Sequence, residues 1–214
     1  MSKHSTHLFW EAEIKRKGLR CEVPGCNKPR WKLGRFCRNH QYVSNQYGHP
    51  LGKWIRLYQY QIETDEIRSL FRTNPHHPGL KEALKVIDQQ FLSGLTKLSR
   101  EREWLQVIDH QVPALEILTR ITALYLYSWR NPSKLPDDNR LTYALARAVF
   151  KSAKKAKQLE RKTVLEATGK LLRERLSAFF WNICKSFDQL EENREKIIES
   201  YQQPWSFPQP AQQP

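Results

Sequence analysis

From Lys53 to Tyr201 apolar residues recur every three or four positions, the spacing that lines one side of an α-helix. Trp54, Ile55, Leu57, Tyr58, Ile62, Ile67, Leu70 and Phe71 predict one long helix or two short ones ending before Asn74-Pro75. Leu80, Leu84, Ile87, Phe91, Leu95 and Leu98 predict another over 79–98, and Ser99 is placed to cap the next, with Trp104, Leu105 and Ile108 on one side. Pro113 sits at a favoured first helical position for 113–130. That segment is apolar nearly all round from Ile121 to Trp129, the mark of a helix buried at the centre of a bundle. Helix 138–160 turns Leu141, Leu145, Ala148, Val149, Ala156 and Leu159 inward and Arg147, Lys151, Lys154, Lys155 and Lys157 outward. Thr163-Val-Leu-Glu166 is a capping-box pattern that starts a last helix running to Tyr201.

Upstream of Lys53 the pattern is shorter and more broken. Residues 5–17 predict a helix with Leu8, Phe9 and Ala12 in its stripe, a cationic last turn and Gly18 as its stop. A second helix runs from Cys37 to Tyr47, with Gly48 just past its end and Pro50 beyond. Between them, Pro29 and Gly34 bracket a short hairpin or loop over 27–36. Residues 202–214 hold four prolines and no charge, and are expected to form an extended or disordered tail. No alternating strand–helix pattern appears, so the expected fold is mostly α: an N-terminal module (1–52), a bundle of five to seven helices (53–201) and the tail.

Charge alters this picture. The chain carries +14 overall, and twelve Lys/Arg against three Glu fall in residues 1–60. Positive charge concentrated on a small module suggests a polyanionic partner, although a solvated basic surface has the same composition. Between 151 and 175, nine basic and three acidic residues form a second basic stripe.

Cysteine placement supplies the candidate chemistry. Three of four cysteines, Cys21, Cys26 and Cys37, lie within twenty residues beside His40. Together they make a Cys₃His set of the kind that holds structural zinc, Zn2+. Val23-Pro24-Gly25-Cys26 has Pro and Gly where a type II turn wants them, which folds the first two thiols toward one point. Cys37 and His40, three apart on a helix, share one side of its first turn. Such a turn, hairpin and ligand-bearing helix is a treble-clef arrangement. Arg38, Gln41, Tyr42 and Asn45 point outward from that helix, and Arg, Gln and Asn are residue types that pair with base edges. Arg30, Trp31, Lys32 and Arg35 form a cation-rich loop that can hold phosphate while the indole stacks on a base, or whose indole covers the metal core. Lys151, Lys154 and Lys155 are the secondary contact expected from the bundle.

The run Cys21-x₄-Cys26, Lys28-Pro29, Gly34-Arg35-Phe36-Cys37-x₂-His40 and Gly48-His49-Pro50 resembles a small zinc module of phages and mobile elements. That module often precedes an HNH-type nuclease domain or stands in a DNA-binding protein. The resemblance covers about residues 20–50 and implies zinc and nucleic acid, DNA ahead of RNA. An Arg that the family often places shortly after the His is absent between 39 and 47.

Other chemistry is thin. His76-His77 sits in a Pro/Gly-rich loop without the Asn and second His of an HNH site. Cys184 follows Phe179-Phe180-Trp181 and reads as a small core hydrophobe. No apolar run approaches the ~20 residues of a membrane span. The N-terminus lacks a signal-peptide pattern, and the expected location is cytoplasmic or nucleoid-associated. The expectation is a non-enzymatic, zinc-stabilised nucleic-acid-binding protein. Its alternatives are a helical adaptor that binds a protein through the bundle or tail, and a divergent HNH-type nuclease.

Overall fold

A computed structural model describes residues 9, 12–13, 17–32, 34–94, 96–153 and 161–202, the side chains of the last stretch through 193 and at 195. Among these residues there are seven α-helices and no strand: α1 Arg38–Tyr47, α2 Gln61–Thr73, α3 Pro78–Ile87, α4 Arg102–Asp109, α5 Ala114–Arg130, α6 Asp138–Phe150 and α7 Lys162–Gln202. None is long and apolar enough to cross a membrane. Most of the 5–17 helix, the 203–214 tail, Lys154, Lys155 and Lys157 lie outside the described residues. Just before Gly18, which takes φ +60°, the Lys17 amide donates to the Glu13 carbonyl at 3.0 Å.

The centre of the bundle is α5, as its all-round apolar sequence requires. Ile117, Leu118, Ile121, Leu124 and Leu126 are fully buried, and α2, α3, α6 and α7 all pack against it. Helices α6 and α7 approach so closely that a Cβ on Gly169 would lie 2.0 Å from the Thr142 carbonyl oxygen. At the other end of the core, Trp104 stacks on Phe91 at 4.4 Å, meets Phe150 edge-on at 5.3 Å and donates its indole N–H to Thr168 at 3.0 Å. Arg130 gathers Glu66 at 2.6 Å and Glu191 at 2.8 Å, joining α2, α5 and α7. Cys184 is buried, and burial pushes its thiol up to about 12, consistent with a small hydrophobe.

Several boundaries differ from the sequence expectation, each for a local reason. Residues 53–56 precede the first turn of the bundle without helix; a 3-10 turn at Leu57–Tyr60 leads into α2. Helix α3 stops at Ile87, widens through a π-turn at Asp88–Leu92, and ends where Gly94 takes φ +70°. Ser99 does not cap α4: it is buried in a 3-10 turn bonded to Thr96, and Glu101 precedes α4 instead. Leu105 is exposed rather than inward, while Val107 takes the core position beside Trp104. Pro113 stands just before α5 rather than as its first residue. Helix α6 ends at Phe150, ten residues short of the expected stop, in a turn at Lys151-Ser152.

The capping box at Thr163 is replaced by a tertiary cap. Glu166 pairs forward with Lys170 at 2.6 Å, and the Glu103 carboxylate of α4 accepts the Arg161 amide at 3.0 Å at the start of α7. The same carboxylate holds the Arg161 guanidinium at 2.8 Å. Burial opposes ionisation of Glu103, but these donors outweigh it and hold the carboxyl down to about 2.

Arg147, expected to face outward, is buried. It donates to the Gln46 carbonyl at 3.0 Å and to the Gln46 side chain, and covers the Tyr47 ring at 4.8 Å. This docks α1 on α6. Gly48 closes the junction: its φ of +72° ends α1, and a Cβ there would lie 2.8 Å from the Asn139 carbonyl.

Candidate metal centre

The centre is built by two local devices. The Cys26 amide donates to the Val23 carbonyl at 3.0 Å with Gly25 at φ +76°, closing the type II turn expected at Pro24-Gly25. Around it the chain folds back: Cys21 N–H to the Lys28 carbonyl at 2.9 Å, Arg30 N–H to that of Leu19 at 3.2 Å, Trp31 N–H to that of Phe36 at 2.8 Å. Gly34 donates to the Trp31 carbonyl at 3.2 Å, so the 27–36 segment turns where Gly34 predicted. Cys37 then immediately precedes α1 and places His40 on its first turn.

These devices bring Cys21, Cys26, Cys37 and His40 together, with all four donor atoms within 4.8 Å of one another. Among the described residues no other group of three or more Cys, His, Asp or Glu side chains converges in this way. Cys21 Sγ lies 3.3 Å and Cys37 Sγ 3.5 Å from His40 Nδ1, and Cys26 and Cys37 sulfurs are 3.9 Å apart. Metal–sulfur bonds of about 2.3 Å and metal–nitrogen bonds of about 2.0 Å give tetrahedral edges of roughly 3.8 Å between sulfurs and roughly 3.5 Å from sulfur to nitrogen. The three edges Cys21–His40, Cys37–His40 and Cys26–Cys37 lie within about 0.2 Å of those values. The four residues can therefore hold a metal ion. Burial works against the Cys21 thiolate, but the Cys37 and Val23 amides with His40 and Cys26 outweigh it and bring the thiol down to about 6. Cys26 moves up: the Lys28 amide favours its thiolate, but burial and the neighbouring Cys21 and Cys37 sulfurs outweigh that donor.

The apolar support is very small. Cys21, Val23 and Cys37 are the buried members, with Cys26 and Phe36 packed against them. The aromatic ring on this cluster is Phe36; Trp31 is half-buried beside Lys32, whose ammonium lies 4.8 Å from the indole.

The expected nucleic-acid contacts fall into distinct surroundings. Arg30 and Arg35 both hold the Glu22 carboxylate, at 2.9 and 2.5 Å. Arg38 is exposed at the start of α1. Gln41 donates to Asn45 at 2.9 Å and both are half-buried, so each occupies part of the other's hydrogen-bonding capacity. Lys151 lies 5.8 Å from the Trp54 ring. Within the 151–175 stripe, Lys170 pairs with Glu166, Arg173 with Asp138 and Arg161 with Glu101 and Glu103. His77 uses Nδ1 to accept the Gly79 amide at 3.1 Å and so caps α3. Comparison of the chain with protein-family models, curated proteins and solved structures finds no match.

Proposed function

We propose that this protein binds nucleic acid through its metal-stapled N-terminal module, with zinc as the ion and the helical bundle as its platform. One observation carries the reading: residues 17–60 contain nine Lys/Arg and a single acid, Glu22, around the Cys₃His cluster. Glu22 is already shared by Arg30 and Arg35, which leaves Lys28, Lys32 and Arg38 as exposed cations on a fold that the ion would hold rigid. Three thiolates and an imidazole suit zinc, and four protein ligands make a closed, structural site. Turn, hairpin and ligand-bearing helix follow in the order of a treble clef. Phosphate recognition of this kind supports DNA ahead of RNA only through the module's resemblance, and fits a cytoplasmic or nucleoid location.

The test is binding of a labelled DNA duplex across salt, using protein whose metal content has been measured. For about four phosphate contacts, affinity falls roughly 100-fold between about 50 and 200 mM salt. Replacing Lys28, Lys32 and Arg38 with Ala flattens the slope by about one per lost contact. No binding of any nucleic acid near physiological salt rejects the proposal. The adaptor reading then gains weight from Trp129, Trp181 and Leu190, which are exposed on α5 and α7.

A further inference from the structure

Where the module meets the bundle, a cleft of about 400 Å³ opens between residues 54–60 and helices α5 and α6. Its lining includes Trp54, Tyr58 and Tyr60 with Arg56, Arg120, Arg147 and Lys151, and no acidic residue. The chain conformation explains how aromatic and cationic groups come to share it. Residues 53–56 lie outside any helix, and Arg56 is extended at φ −85°, ψ 151°. Alternation along such a chain sends Ile55 against the core and leaves Trp54 and Arg56 on the other side. Trp54 is 42% exposed and Tyr58 71%, so both rings stand open to a ligand at the cleft. The Arg56 and Lys151 charges lie 5.9 and 5.8 Å from the Trp54 ring, at the outer limit of a cation–π contact. Arg120 shares its charge with Glu116, and Arg147 is committed to Gln46. Arg56 is the cation that the extended segment itself brings beside the indole.

We infer that this cleft is a subsite for an unpaired nucleotide of a single-stranded nucleic acid: Trp54 and Tyr58 stack on bases while Arg56 meets a phosphate. The inference rests on the nucleic-acid reading above and narrows it. Bases in a duplex are already stacked and cannot lie flat on a ring inside a cleft, whereas those of a single strand can. A purely apolar ligand makes no use of the Arg56 guanidinium beside the indole, and a simple phosphate leaves the rings unused.

The experiment compares a fluorescein-labelled oligothymidylate with a duplex of the same length, by anisotropy, on the full chain with bound metal. Trp54→Ala and Tyr58→Ala are each expected to weaken single-strand binding about 5- to 100-fold, the range for one lost stacking ring. Duplex affinity should change less than about 2-fold, and Trp54→Phe should recover most of the loss. Because Tyr58 is so exposed, its variant keeps the test valid if Trp54→Ala disturbs folding. If wild-type protein binds one or both probes and neither variant shifts the single strand, the subsite is wrong while the broader reading stands. Equal losses on both probes also overturn it, since stacking is then not what the rings provide. If wild-type protein binds neither probe, both proposals fail together.

Discussion

The two halves of this molecule solve the same problem by opposite means. Among the described residues the bundle buries thirty-one in one continuous apolar core centred on α5. Among the described residues the N-terminal module has a buried apolar cluster of three, two of them cysteines of the Cys₃His group. A core of that size does little to offset the conformational entropy of ordering some thirty residues, and an ion held by the four donors would supply the missing cross-link. Stability in one region is spread over many contacts. In the other it hangs on four atoms.

The largest expected effect breaks the comparison at that point. Structural zinc contributes about 10–16 kcal/mol of apparent binding free energy in small finger peptides, and that binding energy is folding energy. Cys37→Ser should abolish stoichiometric metal, measured by elemental analysis, and remove amide protection over 19–47, measured by hydrogen exchange. The helical signal should fall by little more than the ten residues of α1. Trp104→Ala reverses the pattern, because it opens a cavity between Phe91 and Phe150 and orphans the Thr168 hydroxyl. It should cost the bundle about 3–5 kcal/mol in urea melts and leave metal content unchanged. Global unfolding in Cys37→Ser would show that the bundle depends on the module.

How much of this was legible in the sequence follows the same division. The convergence of Cys21, Cys26, Cys37 and His40 was legible because residue type, Pro24-Gly25 and the i,i+3 spacing of Cys37 and His40 are local facts. Helix α5 was legible because apolar residues all round a helix admit one placement. Arg147 and Glu103 were not. Periodicity placed the charge of Arg147 outside, but its partner is Gln46, 101 positions away and itself an unremarkable polar residue. Glu103 sits on the inner side of α4 and looks like an error in the pattern until Arg161, 58 residues later, arrives beside it. The helix start at Arg161 was assigned to a local Thr163 box because nothing local announces a cap donated by another helix. The cleft at Trp54 was hidden by its aromatic spacing, which satisfies a helical period although the chain there is not helical.

Glu103 gives a way to separate the regions by pH. Its folded value, about 2, lies below the ordinary carboxyl value, so its contribution is fully present above the unfolded value and lost as pH falls toward 2. A ligand histidine and thiolates also release metal in acid, so the readout must belong to the bundle, by urea melts of chelator-treated protein. Glu103→Gln should cost about 1–2 kcal/mol near pH 7, since Glu103 is buried but its partner Arg161 is half-exposed and screened by water. Its stability should then change less between about pH 5 and 3 than that of the wild type. Parallel acid profiles for the two proteins would show that other carboxylates govern acid unfolding.

The last expected effect concerns the seam itself, and it asks whether the halves are thermodynamically joined. Arg147 is the main polar tie: it satisfies a Gln46 carbonyl near the end of α1, meets the Gln46 side chain and lies over Tyr47. Hydrogen bonds that involve a charged group contribute about 1.5–3 kcal/mol each, and the unfolded module can offer none of these partners. Chelation should therefore lower wild-type bundle stability by about that amount, through loss of docking alone. In Arg147→Met the stem still packs but the donors are gone, so chelation should have a smaller effect on the urea midpoint. Metal stoichiometry should stay unchanged in this variant, because Cys21, Cys26, Cys37 and His40 all lie within the module. If chelation shifts both proteins equally, docking resides in the close approach of Gly48 to Asn139 and Tyr143. Gly48→Ala, strained at φ +72° and blocked by that backbone, is then the variant that uncouples the halves.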